Sequence, residues 1–549
     1  MTALGTALNR SCWRIHERLL ISIHFLFMKH SRSFFVLFGC AVMLMTPVRG
    51  ADFRVPTPEE LPGSSEQVRQ ALEALERKEV AEGVKQLQAA AAKGDAHAQF
   101  VLGLCFQYGQ GVTQSVDEAQ ALYLKAATQG QPAAQFFLGV FLLGRNAQDP
   151  GRDAAGAVVW LEKAAVQKFH RANHYLADLY LSGNGVARDP VKARQWLQKA
   201  ADAADPAASF RLAIMTEKGE GLEKPDPDAA QKLYEKAAED GLPEAMVYLG
   251  RMHQNGVRGE PNLERARTYY EQAEKLKSAE ARFRLGQLFQ NGQGVKKDEA
   301  RAVFYYRKGA EQNEPNCLYQ MGLMTEAGTG AKKDDAEARE FFKRAAAMNF
   351  APALSALAVI HEEGKGGVEA DEKEALRHYL KAGELGDVAS QNKMGIWYRS
   401  DSGPVFQDNV AAAAWFGRAA QAGYAAAQVN LGLMAEEGVG MPRNEAMAGQ
   451  LYEAAAAQGH GLGIFFMARL LENGTGTAPD PVGAYVLYNQ AAIVHPPAAE
   501  ARDALKKKLS PEQLEKATAQ IDAKKSAAPP AEKSAAKPAT EKPPAAARK

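Results

Sequence analysis

Gly-x-Gly triplets recur along this chain at 109–111, 183–185, 219–221, 292–294, 328–330, 438–440 and 474–476, and intact neighbours such as 183 and 219 stand 36 residues apart. A period in the thirties marks stacked supersecondary units, each too small to bury an apolar face alone. That constraint suits a chain of 549 residues, which exceeds what one hydrophobic core supports. The copy Asn291-Gly292-Gln293-Gly294-Val295-Lys296-Lys297 looks at first like a phosphate-cradling loop. A nucleotide loop, however, follows a strand and ends in Gly-Lys-Ser/Thr before a helix. Here a helical pattern precedes, no Ser or Thr follows the lysines, and Asp298 would repel an anion at the helix end. The triplet therefore reads as a joint. Its first glycine closes one helix in the left-handed conformation and its second makes the turn into the next.

A second ruler keeps the same register without glycine. Helix N-cap residues follow the joints at Ser115, Asp153, Asp189, Asp226, Asn262, Asp298, Asp334, Asp371, Asp408, Asn444 and Asp480, in steps of 36 to 38 residues. Their side chains suit the free amides of a first helical turn. Proline follows Asp189, Asp226 and Asp480, and Glu118 completes a capping-box pattern with Ser115. Four residues after each cap stands alanine, from Ala119 to Ala484; seven or eight after it stands a bulky group such as Trp160, Trp196, Tyr305 or Trp415. Eleven residues after it alanine returns, as at Ala126 and Ala345, with Gly309 the exception. These offsets define one face of a helix, here called B. A helix A precedes each joint, as in Ala98–Phe106 and Ala281–Phe289, and carries a Leu-Gly pair beside an aromatic residue.

The combined pattern, A-x-x-L-G-x-x-[YF] then G-x-G-V, an N-cap, and A-x-x-[WY]-[YF]-x-[KR]-A-A-x-x-G, resembles the Sel-1-like repeat, a relative of the tetratricopeptide repeat. About eleven copies cover residues 95–495. The resemblance implies an all-α fold, a right-handed α-solenoid of stacked helix-turn-helix units with helix A on the concave side. Copies two, five and nine depart at their joints, Gly144-Arg145-Asn146-Ala147, Gly256-Val257-Arg258-Gly259 and Ser402-Gly403-Pro404-Val405. Residues 64–94 read as a degenerate N-terminal repeat and 496–523 as C-terminal capping helices that seal the stack. Residues 51–63 are a linker, and 524–549, rich in Ala, Pro and Lys, are an expected disordered tail.

Residues 1–50 have the layout of a secretory signal with its start at Met28: basic Lys29 and Arg32, an apolar run from Phe34 to Met45, and small residues around a cut after Gly50. The expected location is the periplasm or cell envelope; the alternative is an uncleaved membrane anchor. Cys40 lies within the apolar run, which argues against lipidation, and Cys105 and Cys317 read as buried small apolar residues. With 66 basic against 65 acidic residues, the chain offers no global attraction for nucleic acid.

No catalytic constellation emerges, and no cofactor or metal is expected. His170, His174 and Asp178 share a helix face but span about 12 Å of rise, too far to close on one ion. His361-Glu362-Glu363 lacks a zinc protease's second histidine, and Ser534-Ala535-Ala536-Lys537 lies in the tail. Binding is the better reading. Two residues before each Leu-Gly or its equivalent stand Phe100, Phe136, His174, Phe210, Val247, Phe283, Tyr319 and Phe465, a mostly aromatic row that is either inter-repeat packing or a set of peptide anchors. Glu326, Glu362, Glu363, Glu436, Glu437 and Glu472 fall near the ends of A helices, as a solvated face or a groove for a basic peptide. The basic tail serves as a spacer or touches an anionic envelope surface. The expected function is an exported, non-enzymatic scaffold for another protein. The alternatives are a cell-wall hydrolase or β-lactam-binding protein, whose relatives pair cysteines within each repeat as this chain does not, and a glycan-binding module.

Overall fold

The computed structural model describes residues 56–57, 61–144, 152–257, 259–476 and 478–527. The signal-like segment, most of the linker, Arg145–Ala147 of the second joint and the tail from 528, with Ser534 and Lys537, lie outside the described residues. All regular structure among the described residues is helical. Two compact units divide between Met246 and Val247.

The first unit holds α1 (Glu66–Glu76), α2 (Val80–Ala92), α3 (Ala96–Tyr108), α4 (Val116–Thr128), α5 (Pro132–Leu142), α6 (Ala154–Val166), α7 (Arg171–Ser182), α8 (Pro190–Asp202), α9 (Pro206–Lys218) and α10 (Pro227–Glu239). The boundary falls within α11 (Pro243–Asn255). The second unit continues with α12 (Leu263–Lys275), α13 (Ala279–Asn291), α14 (Glu299–Glu311), α15 (Pro315–Ala327), α16 (Asp335–Ala347), α17 (Ala351–Glu363), α18 (Glu372–Glu384) and α19 (Val388–Arg399). It ends with α20 (Asn409–Gln421), α21 (Ala425–Glu437), α22 (Glu445–Ala457), α23 (Gly461–Asn473), α24 (Pro481–Ala491), α25 (Pro497–Lys506) and α26 (Pro511–Ala527). Odd numbers from α1 to α23 are A helices and even numbers to α24 are B helices. Within each unit every A helix packs on its own B helix, and that B helix packs on the next A helix, which is the all-α solenoid arrangement. The last helix runs to Ala527, past the expected start of the tail at Lys524, because Ala and Lys favour helix.

One residue ties the two helices of each pair together. The backbone amide of each of the eleven expected N-caps donates to a carbonyl in the last turn of its A helix at 2.7–3.1 Å, as Asp298 does to Phe289 and Asp371 to His361. The side chain of the same residue accepts from the first turn of helix B, Asp298 from the Arg301 amide at 2.9 Å and Asp334 from the Glu337 amide at 2.9 Å. This corrects the capping box at Ser115. Its hydroxyl accepts from the Glu118 amide, but its own amide goes to the Phe106 carbonyl and is not available to the Glu118 carboxylate.

Packing then follows the sequence offsets. Ala302 and Ala338 are buried at the A–B contact, and the ring of a B-helix aromatic lies where a Cβ on the helix A glycine would stand: 2.3 Å from a Tyr306 ring atom at Gly286 and 2.4 Å from Phe342 at Gly322. Buried glutamines link one repeat to the next. Gln99, Gln135, Gln391 and Gln428 donate at 2.8–3.4 Å to Ala91, Ala127, Gly383 and Ala420, carbonyls near the end of the preceding B helix that lack a helical partner.

The second glycine of each joint does more than turn the chain. At Gly294, with φ +66°, a Cβ would stand 2.4 Å from the Cβ of Leu263, in the first turn of the preceding B helix. The joint is thus an inter-repeat contact. Gly423 has φ +88° with nothing within 4 Å of an added Cβ. Gly423→Ala should therefore cost only the left-handed penalty of about 1–2 kcal/mol, whereas Gly294→Ala should add about 1–3 kcal/mol of steric strain. Urea denaturation of the two variants compares these costs, and equal midpoints would show that the joint does not press on its neighbour.

Candidate interaction surface

Seven B-helix tyrosines, Tyr123, Tyr234, Tyr270, Tyr306, Tyr379, Tyr452 and Tyr488, direct their hydroxyls at the end of their own A helix. Each donates at 2.6–3.1 Å to a Gln or Glu there: Gln107, Glu217, Gln254, Gln290, Glu362, Glu436 and Glu472 in the same order. Burial pushes the phenols of Tyr123, Tyr270, Tyr306, Tyr379, Tyr452 and Tyr488 up, Tyr270 to about 12, so they remain donors. The sequence-level assignment of Glu362 and Glu436 to a partner groove thus meets a structural task. Both satisfy the buried hydroxyls of their own repeats. Glu326 is the exception in this row, because the facing residue is Phe342 and offers no hydroxyl; Glu326 instead lines a cleft of about 500 Å³ with Gln290, Asn291, Lys297 and Glu299.

Glutamates at these helix ends also link successive A helices: Glu362 pairs with Lys393 at 2.5 Å, Glu437 with Arg399 at 3.1 Å and Glu436 with Arg469 at 2.6 Å, while Glu472 pairs with Lys508, between α25 and α26, at 2.9 Å. Glu363 pairs with Lys365 in its own loop. Asn392 and Asn430 add a hydrogen bond of 3.0 Å between α19 and α21. The A-helix face of this unit is therefore close to charge-balanced.

The aromatic row divides. Phe100, Phe136 and Phe283 are buried, Phe100 between Tyr123 and Phe137, Phe136 among Phe137, Phe169 and Tyr175, and Phe283 against Tyr306. They offer no ring to a ligand. Phe210, Tyr319 and Phe465 are half-buried against Tyr234, against Phe342 and Phe350, and against Phe466, Tyr488 and His495. The row serves mainly the packing between helices and leaves three edges accessible.

A different row faces solvent and was missed in the sequence. Leu323, Val359, Ile396 and Leu433 follow the small residue of the Leu-Gly position in repeats seven to ten, 36 or 37 residues apart. Val359 and Ile396 are 37% and 38% exposed, and Leu323 and Leu433 are half-buried. The row lies on α15, α17, α19 and α21, and successive A helices touch directly at α13 with α15 and at α21 with α23. The spacing was available in the sequence, but an aliphatic residue beside Leu-Gly reads as core.

His174 is engaged by side chains of the next A helix and its N-cap. Its ring lies 2.8 Å from Asp205 and 3.3 Å from Arg211, which also pairs with Asp178. Burial would raise the Asp205 carboxyl, but the His174 ring and the amides of Ala208 and Ala207 outweigh it and hold it below its usual value. No group of three or more metal-ligating side chains occurs among the described residues. Burial pushes the Cys105 thiol up to about 12, as befits a core residue.

The Sel1 repeat family matches residues 96–131, 132–167, 170–205, 206–242, 243–278, 279–314, 315–350, 351–387, 388–424, 425–460 and 462–493, each segment spanning one A and one B helix. The chain belongs to the Sel1 repeat family. Sel1-repeat proteins generally act as protein–protein interaction scaffolds, on a fold that is typically non-catalytic. No curated protein sequence matches the chain. Among solved structures, it is similar to the protective antigen c5321 of uropathogenic Escherichia coli, described as displaying an SLR fold, at 26% identity over 83% of this chain and 99% of that one, with a TM-score of 0.49. It is also similar to a Sel1 repeat protein from Oxalobacter formigenes, at 30% identity over 42% of this chain and 94% of that one, with a TM-score of 0.40.

The two glutamates at the end of α21 separate structural from surface roles. Glu436→Ala leaves the Tyr452 hydroxyl without its acceptor and Arg469 without its partner, and should cost this Sel1-repeat protein about 1–3 kcal/mol. Glu437→Ala removes only a half-exposed pair and should cost at most about 1 kcal/mol. Urea midpoints measure both; a neutral Glu436→Ala would remove that residue from the structural network.

Proposed function

We propose that the chain is an exported scaffold that holds another protein by an apolar segment laid along the A-helix face of repeats seven to ten. The observation that carries this reading is the aliphatic row Leu323, Val359, Ile396 and Leu433, which stays partly in water although its neighbours are buried. A packed solenoid does not need these side chains in solvent, and a partner segment would remove their apolar area from water at about 25 cal/mol per Å². A basic residue flanking that segment suits Glu326, which takes no tyrosine hydroxyl, whereas Glu363 and Glu437 are already paired with Lys365 and Arg399. The accessible edges of Phe210, Tyr319 and Phe465 are secondary anchors on this reading.

Export rests on the signal-like layout around Met28 and Gly50. No helix among the described residues is long and apolar enough to cross a membrane. The basic tail acts as a spacer that keeps the stack clear of the envelope or touches its anionic surface.

Affinity capture from an envelope fraction, with protein partners identified by mass spectrometry, tests the scaffold. The Val359→Glu/Ile396→Glu variant should fold normally by circular dichroism and lose the partner at least tenfold; recovery of wall polymer alone would favour a glycan-binding or hydrolytic role. N-terminal sequencing of the exported chain should begin at Ala51, and an intact Met28 terminus would overturn cleavage.

A further inference from the structure

The ninth joint, like the second and the fifth, departs from the glycine pattern of the other copies. Helix α19 ends at Ser400 in an extended conformation, φ −82° and ψ 147°, rather than at a left-handed glycine. The loop then places Pro404 at one wall of an open cleft of about 730 Å³ in the second unit. The other walls come from the last turn of α17, the eighth joint and the start of α18: His361, Val368 and Ala370, with the charged residues Glu369, Asp371, Glu372 and Lys373. Three carboxylates face one ammonium. Asp371 is committed to capping α18, accepting from the Lys373 and Glu374 amides at 3.0 Å each. Among the described residues, neither Glu369 nor Glu372 has an ion-pair partner.

Two residues after Pro404 in the same loop stands Phe406, 98% exposed, and Val410 in the first turn of α20 is 68% exposed. The repeat supplies its own control for such a residue. In the other ten copies the residue two before the cap, from Thr113 to Ala478, is never aromatic and never a large aliphatic. A side chain required by the fold would recur with the period. Phe406 does not recur, packs on nothing and loses nothing structural when removed.

We infer that the cleft between the eighth and ninth joints, together with the exposed Phe406 and Val410 two and six residues beyond its Pro404 wall, is a second docking surface for a partner peptide that carries a basic residue next to a large apolar one. The ammonium or guanidinium enters among Glu369, Asp371 and Glu372, and the apolar side chain covers Phe406 and Val410. Charge complementarity selects the first contact and the otherwise unexplained exposed aromatic the second. The chain's own tail from Lys524 has lysines but no large apolar residue, so it meets the charge and leaves Phe406 uncovered. This surface lies on the joints and stands independently of the A-helix row.

Fluorescence polarisation with the full chain tests it, using labelled Gly-Ser-Lys-Phe-Lys-Ser-Gly as probe. Saturable binding is expected, falling at least tenfold with Phe406→Ser and at least tenfold with Glu369→Lys/Glu372→Lys, and lost when the probe's lysines are replaced by glutamates. Phe406 is exposed enough that its variant should fold as the parent does, which a thermal melt verifies. The Val359→Glu/Ile396→Glu variant should bind the probe unchanged, which separates this surface from the proposed scaffold groove. Absence of saturable binding, or parent-like binding by both cleft variants, overturns the inference. So does equal affinity for a probe with alanine in place of phenylalanine, which would assign the cleft to tail-like basic segments.

Discussion

The N-cap residue of each B helix fixes the geometry on which the rest of the structure depends. Its amide ends on helix A and its side chain begins helix B, so one residue in each repeat satisfies backbone groups of both helices. Helices of thirteen residues, such as α13 and α14, are marginal alone and need tertiary packing. By locking the crossing of A on B, the cap brings the helix A glycine under the B-helix ring, as Gly286 meets Tyr306, and the small–large fit of the core follows. The inter-repeat contacts, Gly294 on Leu263 and Gln391 on Gly383, then propagate the same crossing along each unit.

The caps and alanines were legible in the sequence because each repeats a local physical requirement eleven times in phase. The acceptor glutamates were not, for a physical reason. A carboxylate near a helix end looks the same whether it meets solvent or a phenol, and only the A–B crossing decides which. Once that crossing is known the rule is simple. The acceptor stands 16 or 17 residues before its tyrosine, as Glu436 before Tyr452 and Glu362 before Tyr379, and where the aromatic is Phe342 the acid is released. The aromatic row left two readings open, and Phe100 and Phe136 pack against neighbouring rings, a choice that burial decides and residue type does not.

A repeat array therefore carries an internal standard for function. A residue that recurs with the period is explained by packing, and one that departs while remaining exposed calls for a different cause. Applied to the second unit, this standard sets aside the glutamate–tyrosine pairs and the buried phenylalanines. It retains Glu326 and the ninth joint, whereas the aliphatic row of repeats seven to ten recurs with the period and is set apart only by its partial exposure.

Electrostatics distinguishes the two proposed surfaces. On the A-helix face Glu362, Glu436 and Glu437 are already engaged by Lys393, Arg469 and Arg399, so a partner would have to displace those cations to gain attraction, and affinity there must come chiefly from apolar area. At the eighth joint Glu369 and Glu372 carry uncompensated charge beside one lysine, and a basic partner gains attraction without breaking any pair. That attraction is exposed and screened over about 8 Å at physiological ionic strength. On the proposed reading the groove would supply persistence and the joint selectivity, and a single partner bearing both an apolar stretch and a basic–aromatic pair would engage the two at once.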